Sequence, residues 1–345
     1  MSYFSIIVPV YNIEIYKIDR CFNSILNQLD SKDELIFVDD GSNDETANFL
    51  DTLKLENVIV IHQINGGAAS ARNTGLEIAK NEWIVFVDPD DWIKENSLQE
   101  VKTYLNTNKD IYIFDYYGTS DEKEIKKYCF FTFKDVSKED IYRNLLGDRY
   151  YTNGVDGIIG CGVPWAHVYK KSFLDNNNLR FDPKFKREED NFFTMYATSK
   201  TDKIEIVNYP FYIYWSGHCF TYLKTFKRNM LEYIPEEAKD KTKFHYSKDM
   251  SKELYSALIN HNYLMLEILL KGYLLNSKVK DSKKEKKEYL KFMKSFEPFK
   301  LVYKGKRYLS FRSRIILYLY RTNQMFVLKM LKNLKSIIKK ILKKQ

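Results

Sequence analysis

The stretch Ser5–Asn12, SIIVPVYN, is an apolar run that ends abruptly at a polar turn. Buried strands of parallel sheets read this way, because both of their faces are covered and no polar alternation is needed. Phe4–Val10, Leu35–Val38, Val58–Ile61 and Trp83–Val87 share the pattern, each rich in Ile, Val and Phe and closed by polar residues. Between these four expected strands, helical spacing of apolar residues predicts helices near Ile15–Gln28, Asp44–Leu55 and Ala68–Ala79, with Ser42 or Asn43 placed to cap the second. The alternation predicts an α/β fold with a Rossmann-like, mostly parallel central sheet flanked by helices. Ligands of such sheets gather at the carboxyl ends of strands, so the polar residues after each run become the site candidates.

A length of 345 residues, 44% of them hydrophobic, allows a sizeable core. The formal net charge of +9 favours an anionic partner, and nucleic acid, acidic lipid or a phosphorylated substrate would all satisfy it. The basic residues concentrate near the C-terminus and no nucleic-acid-binding module appears, which argues against nucleic acid. PVYN after the first strand, where a GxGxxG turn would stand, argues against a nicotinamide-dependent oxidoreductase. Cys21, Cys129, Cys161 and Cys219 lie far apart with no CxxC pair, signalling neither a zinc site nor a disulfide framework. With no cleavable leader and no apolar run of membrane-spanning length, the sequence predicts a cytoplasmic protein.

Three segments carry the chemistry. In FVDPDDW, Phe86–Trp92, the carboxylates Asp88, Asp90 and Asp91 around Pro89 would repel one another unless a cation or hydrogen-bond donors neutralise them. Mg²⁺ or Mn²⁺ takes oxygen ligands and commonly pairs one or two carboxylates with substrate phosphates; the alternative reading is an acidic turn before a helix starting near Ser97. In VDDGSNDET, Val38–Thr46, one of Asp39 and Asp40 can accept a base N–H while the other braces the loop, and Asp44 and Glu45 suit helix capping. In NGGAASARNTG, Asn65–Gly75, Gly66 and Gly67 form a turn and Arg72 faces an expected anionic ligand.

In this order, SIIVPVYN, VDDGSNDET, NGGAASARNTGLEIA and FVDPDDW strongly resemble the family 2 glycosyltransferases of GT-A fold. The likeness continues more loosely through WAHVYKKSF, FDPKFKREEDNFF and YPFYIYWSG. It implies that residues 1–222 form a GT-A domain, with a nucleotide-sugar half at 1–108 and an acceptor half at 109–222. Residues 223–345 are expected to form a helical C-terminal region. The resemblance implies that Pro9, Val10 and Tyr11 pack against the nucleotide base, that Asp39 or Asp40 reads it, and that Asn65, Gly66 and Arg72 lie near base and phosphates. It makes Asp88–Pro89–Asp90 the metal- and donor-binding DxD motif, with Asp90 the first metal ligand, Asp88 on the ribose or a metal-bound water, and Asp91 on the loop or donor sugar.

The same resemblance makes Glu189–Asp190 the acidic pair whose Asp190 deprotonates an acceptor hydroxyl; a positioned carboxylate base is worth roughly 10²- to 10⁴-fold. One base and direct attack imply inversion, while the bland reading is a charged helix start. Trp165 becomes an acceptor-stacking ring or a core residue, and His218 a third metal ligand. From Met325 to Lys344, apolar residues at helical spacing alternate with lysines, a basic amphipathic helix fit for an anionic membrane surface, its own domain or a second copy.

The expected function is an inverting, Mn²⁺- or Mg²⁺-dependent transfer from a nucleotide diphosphate sugar, a UDP-sugar by family precedent. The acceptor would be a free or lipid-linked glycan of a capsule, lipooligosaccharide or other polysaccharide, met at the inner face of the cell membrane. A sugar- or polyol-phosphate transferase and a non-catalytic glycan-binding relative are the alternatives.

Overall fold

All seven residues of β1 (Phe4–Val10) are buried, as an apolar run covered on both faces requires. The computed structural model describes residues 3–53, 55–120, 124–132, 135–147, 160–185, 188–216, 227–246, 250–276 and 278–331. By internal contacts the chain divides into two compact units, one of residues 1–145 and 149–219, the other of residues 146–148 and 220–345.

In the first unit β1 pairs in parallel with β2 (Glu34–Asp39) and β4 (Trp83–Phe86), and β2 with β3 (Val58–His62). The crossovers are α1 (Ile15–Leu26), α2 (Asp44–Thr52) and α3 (Ala68–Ile78). Of the two candidate caps for α2, Asn43 serves: its side chain accepts the Thr46 N–H at 3.0 Å. A Cβ on Gly75 of α3 would lie 2.4 Å from Ile7 Cγ2, so the close approach of α3 to β1 depends on a bare Cα.

Next come β5 (Trp92–Ile93), α4 (Leu98–Tyr104), β6 (Ile111–Thr119), β7 (Lys126–Tyr128), α5 (Lys138–Leu145), β8 (His167–Lys170), α6 (Lys171–Asn176), α7 (Glu189–Ser199) and β9 (Ile204–Trp215). Among the described residues nine strands form one sheet, ordered β3-β2-β1-β4-β8-β6-β9-β5, with β7 on β6. The four strands of the first half are parallel; β8 runs antiparallel to both β4 and β6, β6 and β9 are parallel, and β5 is antiparallel to β9. The sheet is therefore mixed, with a parallel first half whose carboxyl ends carry Asp39 and the turn after Phe86.

The second unit contains α8 (Met230–Tyr246), α9 (Lys252–Leu269) with a π-helical turn at Leu270–Leu274, α10 (Lys283–Ser295), α11 (Glu297–Lys304) and α12 (Phe311–Arg321). Ile234, Leu266, Leu269, Phe299, Val302 and Tyr320 belong to its core. Ser282 and Glu285 cap the N-terminus of α10 with a reciprocal capping box, which starts a helix inside the lysine-rich stretch Lys278–Lys287. Among the described residues no helix is long and apolar enough to cross a membrane.

Candidate active site

The Asp88–Asp91 turn is held from below by one face of α1 and the turn after it. Arg20 Nη2 donates to the Asp90 carbonyl at 2.7 Å, and the Cys21 thiol points at the Asp88 carbonyl at 3.9 Å. Ser24 Oγ accepts the Ile93 N–H at 3.1 Å, while Gln28 donates to the Lys94 carbonyl and accepts from Ser97 and Leu98. Arg20 and Ser24 lie one turn apart on α1 and Gln28 follows in the turn after it, so the three address the loop in order. The Arg20 guanidinium also lies 3.8 Å from the Trp92 ring centroid.

Asp91 faces inward. Its carboxylate accepts the Tyr212 hydroxyl and the Trp215 N–H, both at 2.6 Å, and the Tyr212 oxygen in turn accepts the Asp88 N–H at 3.0 Å. Burial, and then the Asp90 and Asp88 charges, push the Asp91 carboxyl well above the usual range. Of its two expected roles the geometry selects bracing the loop.

Arg72 joins the two acidic motifs. Its Nη2 lies 3.0 Å from Asp88 Oδ1 and its Nη1 3.5 Å from Glu189 Oε1, with the guanidinium over the Phe181 ring. Burial alone would lower this guanidinium, but Asp88, Asp190 and Glu189 hold it above its ordinary value. The neighbouring Asn73 exchanges two hydrogen bonds with the Phe181 main chain, both 2.8 Å. Phe181 stacks on Phe193 of α7 at 4.0 Å and meets Phe86 edge-on at 5.2 Å, so an aromatic floor fixes α7 against the end of β4. The expectation that Arg72 faces an anionic ligand is thus modified: two of its nitrogens serve carboxylates of the protein. Its Nε and Nη1 are buried with no hydrogen-bond partner among the described residues, the Nη1 approach to Glu189 being an ion pair only.

Glu189 and Asp190 open α7, where the helix N-terminus favours negative charge. Glu188 before them takes a left-handed conformation, φ 61°, a costly geometry for a residue with a side chain. Burial first, and then Glu189, with Arg72 opposing and Asp88 adding, push the Asp190 carboxyl up to about 7. A carboxyl so poised is half deprotonated near neutral pH, where a general base works best.

At the end of β2 the two aspartates divide their work. Asp40 accepts the Gly66 and Gly67 N–H groups at 2.8 and 2.7 Å and the Gln63 side chain at 2.7 Å, bracing the glycine turn; Gly67 there has φ 87°. Its carbonyl accepts from the Asn65 side chain, so Asn65 is tied to the same turn. Asp39 accepts the Ser42 N–H at 3.0 Å and lies 2.7 Å from His62 Nδ1. Pro9 and Val10 are buried, whereas the Tyr11 ring is 51% exposed beside this rim, open to a planar ligand.

Trp165 is corrected. It is 2% exposed and stacks on Tyr212 and Tyr214 at 4.7 and 5.1 Å, so it packs the core beneath the Asp91 bridge and presents no ring face to an acceptor. His218 and residues 332–344 of the basic tail lie outside the described residues. Sequence reading missed Tyr212, Asn73, Arg20 and His62. Only His62 had a usable signal, since the parallel register of β2 and β3 sets it opposite Asp39.

Among the described residues no three Asp, Glu, His or Cys side chains gather as a cage for a metal. Asp88 and Asp90, crowded beside Asp91, fit a hard cation that takes one or two carboxylates and completes its shell with water and phosphate oxygens.

Comparison with known proteins follows this geometry. The Glycosyl transferase family 2 model matches residues 5–176. Glycosyltransferase GlyG of Streptococcus pneumoniae is 31% identical over 218 residues, 61% of this chain and 69% of that protein. The poly(ribitol-phosphate) β-N-acetylglucosaminyltransferase TarP of Staphylococcus aureus is 32% identical over 219 residues, 62% of this chain and 63% of its own length. The uncharacterized glycosyltransferase EpsJ of Bacillus subtilis is 29% identical over 213 residues, 61% of this chain and 60% of that relative. The chain thus spans less than two thirds of the length of several relatives it matches. The fold is that of S. aureus TarS residues 1–349 in complex with UDP-GlcNAc, at a TM-score of 0.66 and 20% identity over 94% of this chain and 88% of that one. The chain belongs to glycosyl transferase family 2.

Proposed function

We propose that this chain is an inverting glycosyltransferase that moves a sugar from a nucleoside diphosphate donor, UDP by preference, to a hydroxyl of a cell-surface polymer. One observation carries the reading: Arg72 touches both Asp88 of the donor turn and Glu189 beside Asp190, so the donor and base motifs share one rim of the sheet. In this reading Tyr11 covers the nucleotide base and Asp39, held by Ser42 and His62, accepts its N–H, while Asp40 shapes the glycine turn. Asp88 and Asp90 would hold Mn²⁺ or Mg²⁺, which when bound neutralises diphosphate charge. Asp190 takes the acceptor hydroxyl's proton as that oxygen bonds to the anomeric carbon and the nucleoside diphosphate departs; attack from the face opposite the leaving group inverts the centre.

The acceptor is proposed from chemistry and kinship together. TarP and a poly(ribitol-phosphate) β-glucosyltransferase of Bacillus spizizenii, 33% identical over 216 residues, are named for a polyol-phosphate polymer. That polymer joins capsular and lipooligosaccharide glycans as a candidate. Such acceptors grow at a membrane, which suits attachment through the basic segment Met325–Lys344, with the protein on the inner face.

Donor hydrolysis across a panel of nucleotide sugars, with Mn²⁺, Mg²⁺ or chelator present, tests the reading. One preferred donor, loss of turnover with chelator and loss in Asp90→Ala are expected; turnover unaffected by either treatment would remove the cation from the proposal. Release of a sugar phosphate in place of a free nucleoside diphosphate would favour the phosphotransferase alternative.

A further inference from the structure

Helix α12 has two apolar faces. Leu317, Leu319 and Tyr320 are buried in the core of the helical unit. The other face turns Phe311, Ile315 and Tyr318, spaced i, i+4 and i+7, to solvent, with Phe311 73% and Tyr318 62% exposed. The helical residues 325–331 repeat the arrangement: Leu328 is buried, whereas Phe326 is 75% and Met330 50% exposed. Large side chains in such a series form more than the scattered apolar exposure common on protein surfaces.

Arg312, Arg314, Arg321 and Lys329 are exposed along the same two segments. The last 48 residues of the chain contain 14 Lys or Arg and no Asp or Glu, so the excess of positive charge lies here and the remainder holds more acid than base. Aromatic rings among cations, with no acid nearby in sequence, match the boundary of an anionic bilayer. There the rings lie between headgroups and acyl chains while guanidinium groups reach phosphate. A second copy fits less well, because a self-complementary contact would bring the same cations together with no carboxylate from this segment to meet them. Nucleic acid would satisfy the charge and leave Ile315 and Met330 in water.

We propose that this face docks the protein on an anionic lipid surface, Phe311, Tyr318 and Phe326 entering the headgroup boundary and Arg312, Arg314 and Arg321 holding lipid phosphates. The proposal deepens the membrane part of the functional reading and is independent of its chemistry. Vesicle binding requires no donor, and its failure would leave the transferase reading standing.

The test is co-sedimentation of the full chain with phosphatidylcholine vesicles with and without phosphatidylglycerol, at low and high salt. Wild type should bind only the anionic vesicles. The triple variant Phe311→Ser, Tyr318→Ser, Phe326→Ser should bind at least about tenfold more weakly at both salts. Arg312→Gln, Arg314→Gln, Arg321→Gln should lose roughly fivefold per charge at low salt and little at high salt. Circular dichroism and melting curves confirm folding of both variants, whose changes are all at exposed positions. Unchanged vesicle binding by the aromatic variant would overturn the proposal. So would a concentration-dependent oligomer that the aromatic changes dissolve in a chain that ignores vesicles, or binding to single-stranded RNA that the arginine changes abolish and vesicles do not match.

Discussion

Asn73 and Phe181, 108 residues apart, exchange two hydrogen bonds of 2.8 Å, the Asn73 amide donating to the Phe181 carbonyl and accepting its N–H. Asn73 sits beside Arg72 on α3 and Phe181 beneath α7, so the pair ties the parallel half of the sheet to the helix that carries Asp190. Asn73→Ala leaves both main-chain groups short of a partner and should cost about 1–3 kcal/mol of stability. Because Phe181 also supports Arg72 and Phe193, kcat should fall more than donor affinity; denaturant melts and steady-state kinetics with donor varied separate the two effects.

Arg72→Met removes the cation between Asp88 and Glu189. Turnover should drop on the order of 10²-fold, as for loss of one preorganised electrostatic contact. The pH profile should move as well. Arg72 opposes the upward displacement of Asp190, so without it the acidic limb of kcat, expected near 7 in the wild type, should shift to higher pH. A limb that stays in place would detach Arg72 from Asp190.

Asp190→Asn should retain donor binding, measured by calorimetry, and lose roughly 10²- to 10⁴-fold in turnover. Stability supplies an independent check. The folded carboxyl titrates at about 7 against an unfolded value near 3.9, so its contribution to stability is complete below about pH 4 and is lost as pH rises through 7. Asp190→Asn should therefore melt higher than wild type in alkaline buffer, with the advantage disappearing in acid.

Tyr212→Phe deletes the hydroxyl that links Asp91 to the Asp88 N–H. The expected result is a raised donor KM with acceptor KM unchanged and a stability loss of about 1–3 kcal/mol. Equal rises in both KM values would point to general loosening of the sheet.

The parallel half was readable because strands covered on both faces leave continuous runs such as Phe4–Val10, and because Asn43 before Asp44–Glu45 is a local capping signal. The mixed half was less so. Residues 204–215 mix aliphatic, polar and aromatic side chains with no regular alternation, their partners come from β6 and β5, and strand direction is fixed by those distant pairings. The carboxylates were visible as types, whereas the division of labour among them was not. Asp40 braces a turn and Asp91 a tyrosine because of neighbours 26 and 121 residues away. Trp165 misled for the same reason: a tryptophan that stacks on two tyrosines and one that would receive a sugar look alike until their surroundings are known.

The ladder from Arg20 through Ser24 to Gln28 has a consequence for how substrates are told apart. On the proposed reading, a loop fastened at successive residues to a helix and the turn after it would resist reshaping around an ill-fitting donor, so selectivity would be set before binding, with little ordering entropy left to lose on contact. Altering the sugar or nucleotide accepted would then require changes on that helix, out of reach of the ligand, as well as among the side chains that touch it.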